Sequence, residues 1–433
     1  MHRRTVVRAA LFGAPAAAAA AIGGVALNRA HERSGAAARR DSDWIWDPFD
    51  EQSNLPPALG VHFHGTWDMY YASRDTGPGS MFEDHLDQLA DHSVEVLRVD
   101  VGWSASQPAC TVPSASHWYN QRIERVLDAA ADRDMQVLLT LHQSPAWARP
   151  GTSGDARQFP TDPELIRPWA AWMARTYGKR VLAWEIWNEP NLKAFTGVDD
   201  PRARPDRYVP LLKAAYEGLK AGDPDAVVVF GGPCQNDDVF VRACYRLGAR
   251  DYFDVMSVHP YQGNQTIPPD ADDAGTRERM THFPALLEVM ADYLDGDKPV
   301  WWTEFGFSVH GNAGVPTDKP WRLGVATDAL SAEYLYRSFE LARREYPQVR
   351  LAVVYAAYKP ATDSSGHQYG YRMLDVDGTV RPQLPTLRRY QAAFGRSRSP
   401  LIGCATIDRC RRWRPNACCC ARSPRTIWTP TPR

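Results

Sequence analysis

Two glutamates close stretches of the kind that end a buried strand. The first stretch is Leu182-Ala183-Trp184-Glu185-Ile186-Trp187-Asn188-Glu189-Pro190-Asn191, apolar and aromatic until a proline that cannot donate to a ladder stops it. The second is Pro299-Val300-Trp301-Trp302-Thr303-Glu304. A lone carboxyl at a strand end is often a solvated rim residue. Two that face each other can divide the work of breaking a glycosidic bond: one protonates the leaving oxygen, and the other attacks the anomeric carbon or activates water to do so. The donor must hold a proton when it acts. The nucleophile must stay ionised, which a cation such as Arg98 and a hydroxyl such as that of Tyr261 would favour.

Whether the two glutamates meet depends on the elements that carry them. Six further apolar runs read as strands: Leu59–His64, Val94–Val101, Gln136–His142, Ala226–Gly232, Asp254–His259 and Leu351–Tyr355. They are β-branched and aromatic and mostly lack strict alternation, as strands covered on both faces do. Amphipathic segments lie between them, among them Trp118–Asp132, Pro163–Gly178, Arg207–Ala221, Phe283–Asp295 and Thr327–Glu345. Repeated βα units demand a parallel sheet, and eight strands predict a single α/β domain over residues 41–395, a (β/α)8 TIM barrel. An open doubly wound sheet is the competing architecture. It calls for a glycine-rich phosphate turn after the first strand, and Gly65-Thr66-Trp67 is not one.

In a barrel the strand ends converge on one mouth. That would gather His62 and His64, Arg98 and Asp100, His142, Asn188 and Glu189, His259 and Tyr261, Glu304, and Tyr355 with Tyr358. Glu185 precedes Glu189 by four residues, so alternation points it the same way one layer deeper, as a buried partner for Arg98. Trp103 and Trp147 are candidate stacking platforms, or else packing.

The pairing of Trp187-Asn188-Glu189-Pro190-Asn191 with Trp302-Thr303-Glu304-Phe305-Gly306 resembles glycoside hydrolase clan A, and within it families 39 and 5, from Leu59 to Arg389. The resemblance implies a retaining O-glycoside hydrolase that cleaves β-glycosidic bonds of oligo- or polysaccharides without a cofactor or metal. In that family pattern Glu189 is the acid/base and Glu304 the nucleophile, Asn188 bonds the sugar 2-hydroxyl, Arg98 and Tyr261 support the nucleophile, and His142 and His259 line the glycone site. The chain departs from the pattern on strand eight. There the clan's tryptophan floor is replaced by Val354-Tyr355-Ala356-Ala357-Tyr358, and Tyr355 becomes the substitute. One competing function is a glycan-binding barrel without turnover. Another is a metal-dependent amidohydrolase, to which His62-x-His64 is similar. That site also needs a Lys or His on strand five, which ends Phe230-Gly231-Gly232-Pro233-Cys234, and an Asp ending strand eight, where the nearest is Asp363.

Composition narrows the partners. The whole chain of 433 residues carries a net charge of −1. Residues 1–40 hold seven Arg and one Glu, and residues 396–433 nine Arg and one Asp, which leaves 34 basic against 49 acidic residues in the body. A body at −15 repels phosphate backbones and suits a neutral substrate better than nucleic acid. Arg3, Arg4 and Arg8 followed by an apolar run to Leu27 read as an export signal similar to the twin-arginine type, hence an extracellular protein with no stable membrane association once the signal is cleaved. The competing reading is an uncleaved anchor. The Arg-, Pro- and Cys-rich segment 396–433 has no amphipathic period and is expected to be disordered. In the body, Cys234 and Cys244 could pair in an oxidising compartment, with Cys110 free.

Overall fold

All eight expected strands form, each followed by a helix. The computed structural model describes residues 55–72, 77–152, 154–310, 319–360, 366–395 and Leu401; the expected export signal, Asp363 and nearly all of the 396–433 segment lie outside them. The strands are β1 (Ala58–His62), β2 (Val96–Gly102), β3 (Gln136–His142), β4 (Ala183–Ile186), β5 (Val228–Phe230), β6 (Met256–Val258), β7 (Val300–Phe305) and β8 (Val349–Val354). The principal helices are α1 (Met81–Asp91), α2 (Trp118–Ala131), α3 (Arg167–Tyr177), α4 (Arg204–Gly222), α5 (Asp238–Arg246), α6 (Phe283–Asp292), α7 (Asp328–Glu345) and α8 (Gln383–Phe394). Sequence periodicity passes over α1, α5 and α8, whose starts carry a readable signal only at Ser80 and Asp237. Those side chains accept from the Glu83 and Phe240 amides at 3.3 and 3.1 Å, the usual N-cap arrangement.

Neighbouring strands pair in parallel in the order β5-β4-β3-β2-β1-β8-β7-β6. A parallel bridge between Val229 and Val255, with Phe230 N donating to Val255 O at 2.9 Å, closes the remaining gap. This is a (β/α)8 barrel, and the doubly wound alternative falls with the closure.

The apparent lack of alternation has a simple cause: both faces of each strand are covered, so inward and outward residues are alike apolar. Leu97, Val99 and Val101 face the helices, whereas Val96 joins Ala58, Leu138, Ala183, Val229, Val255, Trp301, Leu351 and Val353 in a layer that fills the barrel's lower end. Leu401 packs against that layer, and its carbonyl accepts the Trp301 indole N–H at 3.0 Å. Above the layer the inward positions turn polar. No helix among the described residues is long and apolar enough to cross a membrane.

The three described cysteines are free thiols, so the considered Cys234–Cys244 disulfide does not form. Cys244 is buried on the core side of α5, while Cys234 lies at the mouth bridged through its backbone to His259.

Candidate active site

The mouth is organised around Arg98, a fully buried guanidinium on the inward face of β2. Its Nε donates to Glu185 Oε2 at 2.7 Å, Nη1 to Glu304 Oε2 at 2.8 Å, and Nη2 to Asn188 Oδ1 at 2.8 Å. Nη1 also lies 3.2 Å from His62 Nδ1. One planar fork on β2 thus aligns residues carried by three other strands, β1, β4 and β7, which a lysine point charge would not do. Burial alone would favour the neutral base, but Glu185 and Glu304 hold the guanidinium firmly protonated.

Beneath the mouth, Glu185 completes the arrangement expected of it. Besides Arg98, it accepts from Thr140 Oγ1 at 2.7 Å, Thr303 Oγ1 at 2.7 Å, Ser257 Oγ at 3.2 Å and the Gly232 amide at 3.3 Å. Burial pushes this carboxyl up, yet Arg98, His259 and the hydroxyl donors outweigh it and keep Glu185 ionised. Every lone pair is engaged, so the residue is a foundation for Arg98 and leaves no free oxygen for chemistry. The donors Thr140, Ser257 and Thr303 were not singled out in the sequence. Their signal was available, since each is the polar residue at an inward position of an otherwise apolar strand.

Glu304 reaches the mouth through an irregularity. Trp301 and Thr303 point inward on β7, so strict alternation would send Glu304 out among the helices. A register shift against β8 between Trp302 and Phe305 turns it back. There Glu304 Oε1 accepts from the Tyr261 hydroxyl at 2.8 Å, Oε2 is held by Arg98, and His62 Nδ1 lies 3.5 Å from Oε2. Burial raises the Glu304 carboxyl, but His259, the His62 contact and Arg98 overcome it and hold it well below the ordinary 4.5.

Glu189 is aimed by backbone rather than by strand. β4 ends at Ile186, earlier than the sequence run, and the next residues leave the ladder with Trp187 at φ 75° and Glu189 at φ 45°. Each left-handed non-glycine costs on the order of 1–3 kcal/mol and persists where its surroundings over-determine it. Here Trp187 N donates to Leu141 O at 2.9 Å, its indole N–H to Phe195 O at 2.6 Å, and Glu189 N to Gly232 O at 3.1 Å. The turn lets Asn188 and Glu189, adjacent in sequence, both face the mouth. His259 Nδ1 meets Glu189 Oε1 at 3.2 Å.

Oxygens of Glu189 and Glu304 and a nitrogen of His259 all lie within 4.8 Å of one another. Two buried carboxyls at that separation can act on opposite sides of a single anomeric carbon. The residues from Thr66 to Tyr336 match the family model described as Cellulase (glycosyl hydrolase family 5). The chain belongs to glycosyl hydrolase family 5. As a family 5 member it is a glycosidase of clan A, as its strand-end residues implied.

Solved structures share the barrel fold. A family 39 glycoside hydrolase from Bacteroides cellulosilyticus WH2 superposes with TM-score 0.58 at 23% identity, over 78% of this chain and 64% of that one. A GH5_18 protein from Streptomyces cattleya, in complex with Manb1-4GlcNAc, gives 0.57 at 16% identity over 80% and 82%. An exo-β-1,4-mannosidase from Opitutaceae bacterium strain TAV5 gives 0.55 at 17% over 80% and 61%. The chain therefore spans less than two thirds of the first and third. At these identities the likeness concerns the fold. No curated protein matches the chain.

All eight site residues expected from sequence (Glu189, Glu304, Arg98, His142, Asn188, His259, Tyr261 and Tyr355) come to this mouth of the family 5 barrel. Tyr355 is half-buried at the end of β8, edge-on to His62 at 5.2 Å and to Tyr371 at 5.4 Å, with its hydroxyl on Gln368 Oε1 at 3.1 Å. Trp103 is not a platform: it is fully buried and stacked on Trp169 at 5.6 Å. Trp147 is half-buried, edge-on to Trp103 at 5.4 Å with its indole N–H on Gln107 O at 3.1 Å.

His62, His64 and Asp100 also offer donor atoms within 4.8 Å of one another. The two imidazoles are stacked face to face, centroids 4.3 Å apart and planes within 10°. Their lone pairs run in parallel planes, so these rotamers do not converge on one ion at the roughly 2.1 Å that a metal–imidazole bond requires. Strand five brings no Lys or His, and the amidohydrolase pattern is incomplete.

Two glycines make room for the acid/base side of the site. A Cβ on Gly231 would meet Ile186 O at 2.2 Å, and one on Gly232 would meet the His259 ring at 2.5 Å and Thr303 Oγ1 at 2.9 Å. Gly232→Ala is therefore expected to push His259 off Glu189 and to destabilise the fold by roughly 1–3 kcal/mol. Kinetics on an aryl glycoside and a denaturation curve check both parts. Unchanged kcat/KM would show that the His259–Glu189 contact is dispensable.

Proposed function

We propose that this family 5 glycosidase is a retaining enzyme acting on β-glycosidic bonds of oligo- or polysaccharides, with Glu304 as nucleophile and Glu189 as acid/base. The observation that carries the reading is the close approach of the two carboxyls, one oxygen of Glu189 lying within 4.8 Å of one oxygen of Glu304. Retention needs about 5–5.5 Å between the carboxyls, whereas inversion needs roughly 6.5–9.5 Å to admit a water. The asymmetry of their surroundings supports the assignment of roles. Glu304 sits between a guanidinium and a phenol hydroxyl that favour its anion, while Glu189 faces an imidazole and the Cys234 thiol, with no cation bonded to it among the described residues.

In the first step Glu304 attacks the anomeric carbon as the bond to the leaving oxygen breaks, and Glu189 passes its proton to that oxygen. A water then gives its proton to Glu189 and attacks the same carbon, which releases Glu304 with the original configuration restored. Asn188, its Oδ1 held by Arg98, turns its amide nitrogen to the 2-hydroxyl, and Tyr355 serves as the floor on strand eight. Export to the cell exterior, read from residues 1–27, belongs to the same proposal.

Glu189→Ala tests the pair. On a substrate with a poor leaving group the variant is expected to lose about 10²–10⁴-fold in kcat. With a dinitrophenyl glycoside, azide should restore turnover and yield a glycosyl azide of retained configuration; an inverted azide would reverse the two roles. The pH profile supplies a further check. Glu304 is held below the ordinary 4.5, so it is ionised above that pH and loses its charge only well under it. With Glu189 gone, the rate on the dinitrophenyl glycoside should be level between pH 4.5 and the ordinary imidazole value of 6.5. A limb inside that window would mean that some other group governs the remaining step.

A further inference from the structure

Asn191 ends the Asn188-Glu189-Pro190-Asn191 stretch and has no role in the two steps above. It is buried and stands two residues beyond Glu189 in the turn after β4. Across from it, the chain leaving β5 runs Gly232-Pro233-Cys234. Each segment has a proline at its middle, Pro190 or Pro233, and proline brings no N–H to a ladder. One backbone rung still joins them, with Glu189 N donating to Gly232 O at 3.1 Å.

The second rung is made by a side chain. Asn191 Oδ1 accepts from Cys234 N at 2.9 Å, and Asn191 Nδ2 donates to Cys234 O at 3.0 Å. The carboxamide stands in for a peptide unit, offering a donor and an acceptor to one residue, which a carboxylate cannot do. The clamp is itself anchored. Asn191 Nδ2 also donates to Asp237 Oδ2 at 2.8 Å, and Asp237 caps α5 and pairs with Arg277. On the other side Arg204 Nη1 donates to Asn191 O at 2.6 Å.

What the clamp holds is the surroundings of Glu189. Pro233 O accepts from His259 N at 3.0 Å, and Gln235 N donates to His259 O at 2.8 Å. The clamped segment therefore carries the backbone of His259, whose Nδ1 meets Glu189 Oε1 at 3.2 Å. The Cys234 thiol rides on the same segment and is hydrogen-bonded to the Glu189 carboxyl. Burial, with Glu189 and Glu304 beside it, pushes the thiol up and keeps it protonated. Glu189 itself sits at φ 45°, a backbone conformation that persists only where neighbours over-determine it. Those neighbours converge on the segment that Asn191 ties back to the turn.

We propose that Asn191 is a positioning residue for proton transfer: its carboxamide locks the Gly232–Gln235 segment against the Glu189 turn and so aims Glu189 at the leaving oxygen. This rests on the reading of Glu189 as acid/base. Aim matters because the proton passes between heavy atoms at hydrogen-bond distance, and a misplacement of about 1 Å can cost about 10²-fold.

The test uses the full-length wild type and Asn191→Asp, which keeps the size and the acceptor for Cys234 N but loses the donor and sets a second carboxylate beside Asp237. A panel of 4-nitrophenyl β-D-glucoside, mannoside, galactoside and xyloside identifies a sugar that is turned over. Its phenyl and 2,4-dinitrophenyl β-glycosides are then compared, because dinitrophenolate leaves with little help from an acid and phenolate needs the proton of Glu189. Asn191→Asp is expected to lose roughly 10- to 100-fold in kcat/KM on the phenyl glycoside and no more than about threefold on the dinitrophenyl one. In a Glu189→Ala background the same substitution should change kcat/KM on the phenyl glycoside by no more than about twofold. Equal losses on both glycosides, or a loss undiminished without Glu189, would overturn the proposal, because a residue that only supports the fold affects them alike. So would unchanged activity on the phenyl glycoside. Asn191→Ser, smaller and uncharged, gives the same comparison if the aspartate variant folds poorly. A Glu189→Ala variant whose loss is the same on both glycosides would overturn the acid/base reading itself, an outcome distinct from failure of Asn191→Asp to separate them.

Discussion

Glu304→Ala is expected to lower kcat for any β-glycoside substrate by on the order of 10⁵-fold, the scale of deleting a covalent nucleophile. No neighbour can take over. Glu185 has both oxygens committed below the mouth, Asp100 is paired with His62 at 3.1 Å, and Glu189 must remain the proton donor. The residual activity should be recovered in part by azide or formate, which fit the space of the lost carboxymethyl group and attack from the same face, giving a product of inverted configuration. Wild type treated with a 2-deoxy-2-fluoro glycoside bearing a good leaving group should gain the mass of one fluorosugar on the peptide that carries Glu304. Label on the Glu189 peptide, or rescue of Glu304→Ala with retention, would refute the assignment.

Arg98→Met should have the largest effect on stability. The substitution preserves bulk but leaves Glu185 and Glu304 buried without their shared cation, and breaking a buried pair from one side costs about 3–5 kcal/mol. The pH dependence separates this cause from simple misfit. In wild type both carboxyls are held below 4.5, so their contribution is present above that pH and is lost as the pH falls through the folded-state values. Without Arg98, burial dominates and raises Glu185 above its unfolded value, so its penalty grows as the pH rises and shrinks toward 4.5. The stability gap between wild type and variant should narrow on acidification from neutral pH. A loss under about 1 kcal/mol, or a gap independent of pH, would mean that Arg98 matters for alignment alone.

Much of this site could be read from residue types at strand ends. The strand count, the two glutamates, the Arg98–Glu185 pair and the convergence of Asn188, His142, His259 and Tyr261 follow from apolar runs, a period of two and a proline stop. The strand boundaries were less secure. Buried strands show no alternation, so Leu182–Asn188 reads as one run although the ladder ends at Ile186. Trp103 stays open between platform and packing in the sequence because an indole at a strand end looks the same whether it meets sugar or, as here, Trp169. The Cys234–Cys244 pairing failed for a related reason: spacing along the chain carries no information about which side of a helix a thiol faces.

By itself the sequence determined the barrel and its catalytic candidates, because hydrophobic periodicity and chain breaks are local properties. Only the tertiary structure decided where those candidates point. Alternation sends Glu304 outward until the irregularity against β8 turns it back, and Glu189 faces the mouth through the left-handed backbone of Trp187 and Glu189. The turn is held through Leu141, Gly232 and Phe195, and the β7 irregularity lies against β8, where Tyr355 N donates to Phe305 O at 2.8 Å.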